Sequence, residues 1–137
     1  MLIQLLTFPI VCSIYYTMSI EFGSHLRVIR LDPVKKKPPS LRAVAREVGI
    51  EPSYLSKIER NIEPPPSEEM IRKLAGVLDE DVDVLLALAG KISADLREII
   101  CKRPALFSKL IRELKSMPDH AILRISREVT DGDWKPK

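Results

Sequence analysis

The chain has 137 residues, a formal net charge of +3 and only 5 glycines, with 45% hydrophobic and 30% charged residues. That length supports about one domain with a modest core. A mix poor in glycine and aromatics but rich in Leu, Ile, Ala, Glu, Arg and Lys favours an all-α protein. The small net charge excludes a strongly basic tail, yet charge is unevenly spread. Residues 21–61 hold nine bases and five acids, a balance of +4, so the remainder is close to neutral. A basic first half beside a neutral second half fits a polyanion-binding face joined to a packing or partner region.

The two cysteines, Cys12 and Cys101, form no CxxC, and the two histidines, His25 and His120, are isolated. Neither a metal site, nor a cofactor, nor a disulfide framework is expected, and a reduced, cytoplasmic setting is the default. The opening stretch, MLIQLLTFPIVCSIYYT, is apolar and uncharged. It lacks the basic start and small-residue cleavage site of a secretory signal. It is also short for a membrane span and is interrupted by Pro9. Met18 begins MSIEFGSHLR, which reads as the natural start of a soluble domain. Residues 1–17 are therefore expected to be an artefact of start-site choice or a disordered extension. A packed element and a membrane anchor are the competing readings; no membrane association is expected.

Phe22, Leu26 and Ile29 share one helical face. Pro33, Pro38 and Pro39 then impose a loop carrying Lys35, Lys36 and Lys37. Ser40 stands at an N-cap position before a stripe of Leu41, Val44, Ala45 and Val48, and Gly49 stops that helix. Glu51 is the expected cap of the next helix. Pro52 suits its first turn, where a missing N–H has no intrahelical partner to lose. Leu55 and Ile58 turn inward, and Asn61, tolerant of the left-handed region, ends the helix. IEPPPS is a stiff connector. Ser67 caps a helix burying Ile71, Leu74, Ala75 and Leu78, and a short helix runs from about Val82 to Ala89 before Gly90. Beyond it, Ser93 caps a helix to about Lys102. Pro104 opens another, expected to turn Leu106, Phe107, Leu110, Ile111 and Leu114 inside, and a last helix covers about Asp119 to Val129. The tail TDGDWKPK frays, with Trp134 able to fold back onto the body.

Residues 41–60 satisfy a restrictive geometry. Two helices crossing steeply over a short turn need a small residue at their contact (Ala45) and a glycine at the turn (Gly49). They also need an apolar plug after it (Ile50) and inward residues on both sides (Val44, Val48, Leu55, Ile58). This is the helix-turn-helix constellation, whose second helix projects into the DNA major groove.

On the segments FGSHLRVIR, SLRAVAREVGI, SYLSKIER, PPSEEMIRKLAGVL and DVDVLLALAG, residues 22–88 resemble the phage repressor/Cro-like family, also called XRE-type helix-turn-helix regulators. The resemblance implies a five-helix repressor-like DNA-binding bundle, double-stranded DNA as ligand, and a homodimer; the appended C-terminal helices beyond about Gly90 lie outside the shared domain. It implies a base-facing surface at Pro52, Ser53, Tyr54 and Lys57. Ser53 can donate or accept, Lys57 can reach guanine O6 or N7, and Tyr54 can touch a thymine methyl or a phosphate. It places phosphate contacts at Ser40, Leu41 and Arg42, which open the preceding helix, and at Arg60 and Asn61, which begin the following loop. It also implies a bracing salt bridge between Arg30 and Glu59. Two departures stand out: the loop at residues 31–39 is longer than usual in the family, so Lys35, Lys36 and Lys37 add phosphate contacts, and Asn61 stands where glycine is common.

Plainer alternatives exist for several of these residues. The three lysines form a solubilising loop, Tyr54 packs on Ile62 or the prolines, and Pro64, Pro65 and Pro66 act as a rigid spacer. The organisation expected is an extension at 1–17, a DNA-binding domain at 18–90, a helical extension at 91–130 for dimerisation or partner binding, and a tail at 131–137. An antitoxin-like interaction module using the C-terminal helices is the competing function. An enzyme is not expected: no nucleophile–base pair, paired-carboxylate site, Gly-rich phosphate loop or metal cluster is visible. The acidic run at 79–83 reads as a helix N-terminal cap region.

Overall fold

The computed structural model describes residues 21–136; the readings for the apolar stretch at 1–17 lie outside the described residues. Among the described residues there are eight helices and no strand. They divide into two compact units, one ending at Ser93 and one beginning at Ala94.

The first unit holds α1 (Phe22–Arg30), α2 (Leu41–Val48), α3 (Pro52–Glu59), α4 (Glu68–Leu78) and α5 (Val82–Leu88). Several boundaries have a local cause. Ser40 caps α2 by accepting from the Ala43 N–H at 3.1 Å. Gly49, at φ 83°, ends it, and the N–H groups of Gly49 and Ile50 both return to the Ala45 carbonyl at 2.9 Å. Pro52 opens α3, while the Glu51 side chain makes no capping bond. Ser67 caps α4 through the Met70 N–H, and Asp79 ends it in the left-handed region at φ 55°. Asp81 caps α5, accepting from Asp83 and Val84, so the acidic run does terminate and start helices.

These caps set short helices whose apolar faces converge. Phe22, Leu26, Val44, Ala45, Val48, Leu55, Ile58, Ile71, Leu74, Ala75, Leu78, Leu85 and Leu86 form one buried core. α2 packs on α3 and α4, α1 on α3, and α4 on α5. No helix in this unit exceeds 11 residues, too short for stability in isolation, so packing holds them. Two lysines pin the connections. Lys35 Nζ donates to the carbonyls of Ile29 and Leu78 at 2.7 and 2.8 Å, and Lys91 Nζ donates to the Pro66 carbonyl at 2.8 Å.

The second unit holds α6 (Ala94–Lys102), α7 (Pro104–Leu114) and α8 (Asp119–Asp131). None of the three helices has a buried residue. The expectation that the α7 stripe lies inside is corrected: Leu106 is 68% exposed, Leu110 43% and Ile111 53%, while Phe107 and Leu114 are half-buried. Three short helices enclose too little volume to cover their own apolar faces. Trp134 folds back only onto the end of α8, donating from Nε1 to the Val129 carbonyl at 3.0 Å while its ring stays 68% exposed. No helix among the described residues is long and apolar enough to cross a membrane.

Candidate nucleic-acid interface

The α2–turn–α3 segment carries most of the residues singled out from the sequence. Leu55 and Ile58 are fully inside, which turns the opposite face of α3 outward. Ser53 and Lys57 lie exposed on that face, and Pro52 and Tyr54 are half-buried beside them. Tyr54 packs against the core cluster, which holds its ring in place and leaves part of it at the surface. At the start of α2, Ser40 and Arg42 are exposed and Leu41 is half-buried. The Ser40 hydroxyl accepts from the Ala43 amide. The Leu41 and Arg42 amides belong to the open first turn, where a helix concentrates positive potential.

Arg30 and Glu59 meet at the base of α3. Arg30 Nε donates to Glu59 Oε1 at 2.6 Å and Nη2 to Oε2 at 2.7 Å, and both residues are buried. The two-pronged bond raises the already high pKa of Arg30. It also neutralises the one carboxylate on α3, so the helix shows no acidic group on its outward face.

The remaining cations divide in two. Lys36, Lys37 and Arg60 are exposed. Arg60 Nε folds back to the Ser56 carbonyl at 3.2 Å, keeping the guanidinium beside the last turn of α3. Lys35 is different: two of its three N–H donors are held by carbonyls at the C-terminal ends of α1 and α4. A cation there stabilises two helix dipoles at once. Lys35 ties the long loop to α1 and α4, while Lys36 and Lys37 are exposed beside it.

Asn61 also has partners within the fold. Its Oδ1 accepts from the Gly23 N–H at 2.9 Å and its Nδ2 donates to Ser24 Oγ at 2.8 Å. This pairing and the Lys35 bridge were missed from sequence, since Gly23, Ser24 and Leu78 lie far from their partners along the chain. Glu21, too long a side chain to be a good cap before a helix opening, was the available signal that α1 needed an acceptor from elsewhere.

A helix-turn-helix family model matches residues 40–85. The HTH-type transcriptional regulator SlrR of Bacillus subtilis (strain 168) is 39% identical over 126 residues, covering 80% of this chain and 82% of SlrR. This chain belongs to the XRE-type helix-turn-helix regulator family. The regulator SinR of the same strain is 44% identical over 52 residues, 38% of this chain and 47% of SinR, so the match spans about half of that relative. Two solved structures are also similar. One is SinR, the master regulator for biofilm formation, in complex with DNA, at 38% identity over 47% of this chain and 97% of that one (TM-score 0.41). The other is a SinR–SinI protein complex, at 29% identity over 77% of this chain and 98% of that one (TM-score 0.43).

Proposed function

We propose that this XRE-type chain is a sequence-specific double-stranded-DNA-binding transcriptional regulator, a cytoplasmic, dimeric repressor without enzymatic activity. α3 enters the major groove and presents Ser53 and Lys57 to base edges, with Pro52 and Tyr54 beside them. The first turn of α2 (Ser40, Leu41, Arg42), the loop lysines Lys36 and Lys37, and Arg60 grip phosphates. The observation that carries this reading is the outward face of α3, which offers a hydroxyl and an ammonium with no competing carboxylate. Phosphate contacts supply affinity and base contacts supply choice of sequence. Selection of random duplex DNA by the purified protein at physiological salt tests it. A two-fold-symmetric motif is expected, with half-sites about one DNA turn, or ~34 Å, apart. Weak binding without enrichment would refute it.

Residues 18–90 form the reading domain in this proposal, and the helices within 91–130 supply the dimer contact. The uncovered apolar faces of α6, α7 and α8 support that division. The same faces support a second reading, in which they receive a different protein partner. Sedimentation of the purified chain separates the two: a monomer favours the partner, a dimer the self-association.

A further inference from the structure

We infer that Asn61 is a positioning residue. It ties the end of α3 to the start of α1 and so fixes how Ser53 and Lys57 meet the duplex. The consequence for DNA rests on the proposed function above; the tether itself is measurable without DNA.

The start of α1 lacks a local acceptor. Glu21 is its N-cap residue and makes no side-chain capping bond. The early N–H groups of a helix have no intrahelical partner. The acceptor for Gly23 comes from Asn61, 38 residues later, at 2.9 Å. The same amide group donates to Ser24 Oγ at 2.8 Å, so both its oxygen and its nitrogen face α1. Asn61 reaches this position from the left-handed region, φ 57°, with its own N–H on the Ile58 carbonyl at 2.9 Å. Asparagine tolerates that backbone better than most residues. Close approach at this point also explains Gly23: a Cβ there would collide with the carbonyl oxygen of Ile58, in the last turn of α3.

The last turn of α3 is therefore held at both ends of α1. Glu59 is gripped by Arg30 at the C-terminal end, and Ile58 and Asn61 lie against Gly23 and Ser24 at the N-terminal end. One attachment fixes a point and leaves a pivot. Two attachments to a stiff helix of 9 residues also fix the tilt. The exposed end of α3 carries Ser53, so a small change of tilt is magnified where bases would be read. Hydrogen bonds to base edges are directional and suffer from such a shift. Long lysine and arginine side chains follow a phosphate through it.

The test uses the full chain and two variants. Asn61→Gly keeps the left-handed backbone and removes the side chain. Glu21→Ser added to Asn61→Gly gives α1 a local cap without rejoining it to α3. Three quantities are read: amide exchange at Arg60 and Ile62, melting temperature, and relative affinity for the duplex enriched by the full chain over its shuffled version. Asn61→Gly is expected to speed exchange and to lower the affinity ratio by about five- to tenfold, the scale of removing one hydrogen bond. The slope of affinity against salt should stay unchanged. The double variant should recover its melting temperature while the exchange and the ratio stay altered. Unchanged exchange in Asn61→Gly, or a ratio restored by Glu21→Ser, would overturn the inference and leave a simple cap. Equal weakening on both duplexes would overturn it in favour of a backbone contact. If no duplex is enriched, the DNA reading fails, and the exchange data alone decide the tether.

Discussion

Arg30 and Glu59 face each other through two parallel hydrogen bonds of 2.6 and 2.7 Å in the interior, joining the last residue of α1 to the last residue of α3. Their removal from water is costly, and their geometry offsets it only while both are present. Arg30→Met would leave a buried carboxylate and should cost about 3–5 kcal/mol, whereas Arg30→Met with Glu59→Leu should recover most of that. Urea unfolding of both variants measures the difference. Equal destabilisation would show that the pair contributes more than mutual compensation.

The three loop lysines should separate by experiment. Lys35→Met removes two charge-assisted bonds to the carbonyls of Ile29 and Leu78. It should lower stability by about 1.5–3 kcal/mol and leave the salt dependence of the proposed DNA binding in place. Lys36→Ala with Lys37→Ala should do the reverse, reducing the slope of log affinity against log salt by about 1 for each phosphate no longer neutralised. Melting curves and binding titrations at several salt concentrations distinguish them.

His25 is 3% exposed, and burial pushes its pKa below the ordinary value, outweighing the opposing pull of Glu80, 3.4 Å away. The unfolded chain therefore takes up this proton at a higher pH than the folded one. Stability should be complete above the ordinary histidine range and should fall as pH drops through that range towards the lowered folded value. Melting temperature between about pH 5.5 and 7.5 should show this decline. A His25→Leu variant should be flatter across the same window, and an equally steep decline in it would assign the effect to other groups.

The helix-turn-helix was legible because its signals are local. Ser40, Gly49 and Pro52 mark boundaries at the helix ends they start or stop, and Val44, Ala45, Leu55 and Ile58 repeat at helical spacing. The hydrogen bonds of Lys35 to Leu78 and of Asn61 to Gly23 were not, because these partners are distant in sequence and neither interaction leaves a periodic trace. The α7 stripe misled for another reason. Amphipathic spacing at Leu106, Leu110 and Ile111 shows that a face seeks cover but not whether the same chain provides it.

That uncovered face yields a further expectation. If the C-terminal helices make the proposed dimer contact, Leu110→Glu should shift the protein from dimer to monomer in sedimentation experiments. The melting transition of the first unit should be unchanged, since its core contains no residue of α7. A dimer that persists would place self-association elsewhere.

The most direct measurement compares the native chain with Lys57→Ala in selection from random duplex DNA. Lys57 is exposed on α3 and lies outside the core, so the variant should fold normally. If α3 reads the major groove, the native chain will enrich a two-fold-symmetric motif. Lys57→Ala will then lose preference at one base in each half-site, with discrimination there reduced by about 1–3 kcal/mol. An unaltered motif in the variant, or no motif for the native chain, would contradict sequence reading by this helix.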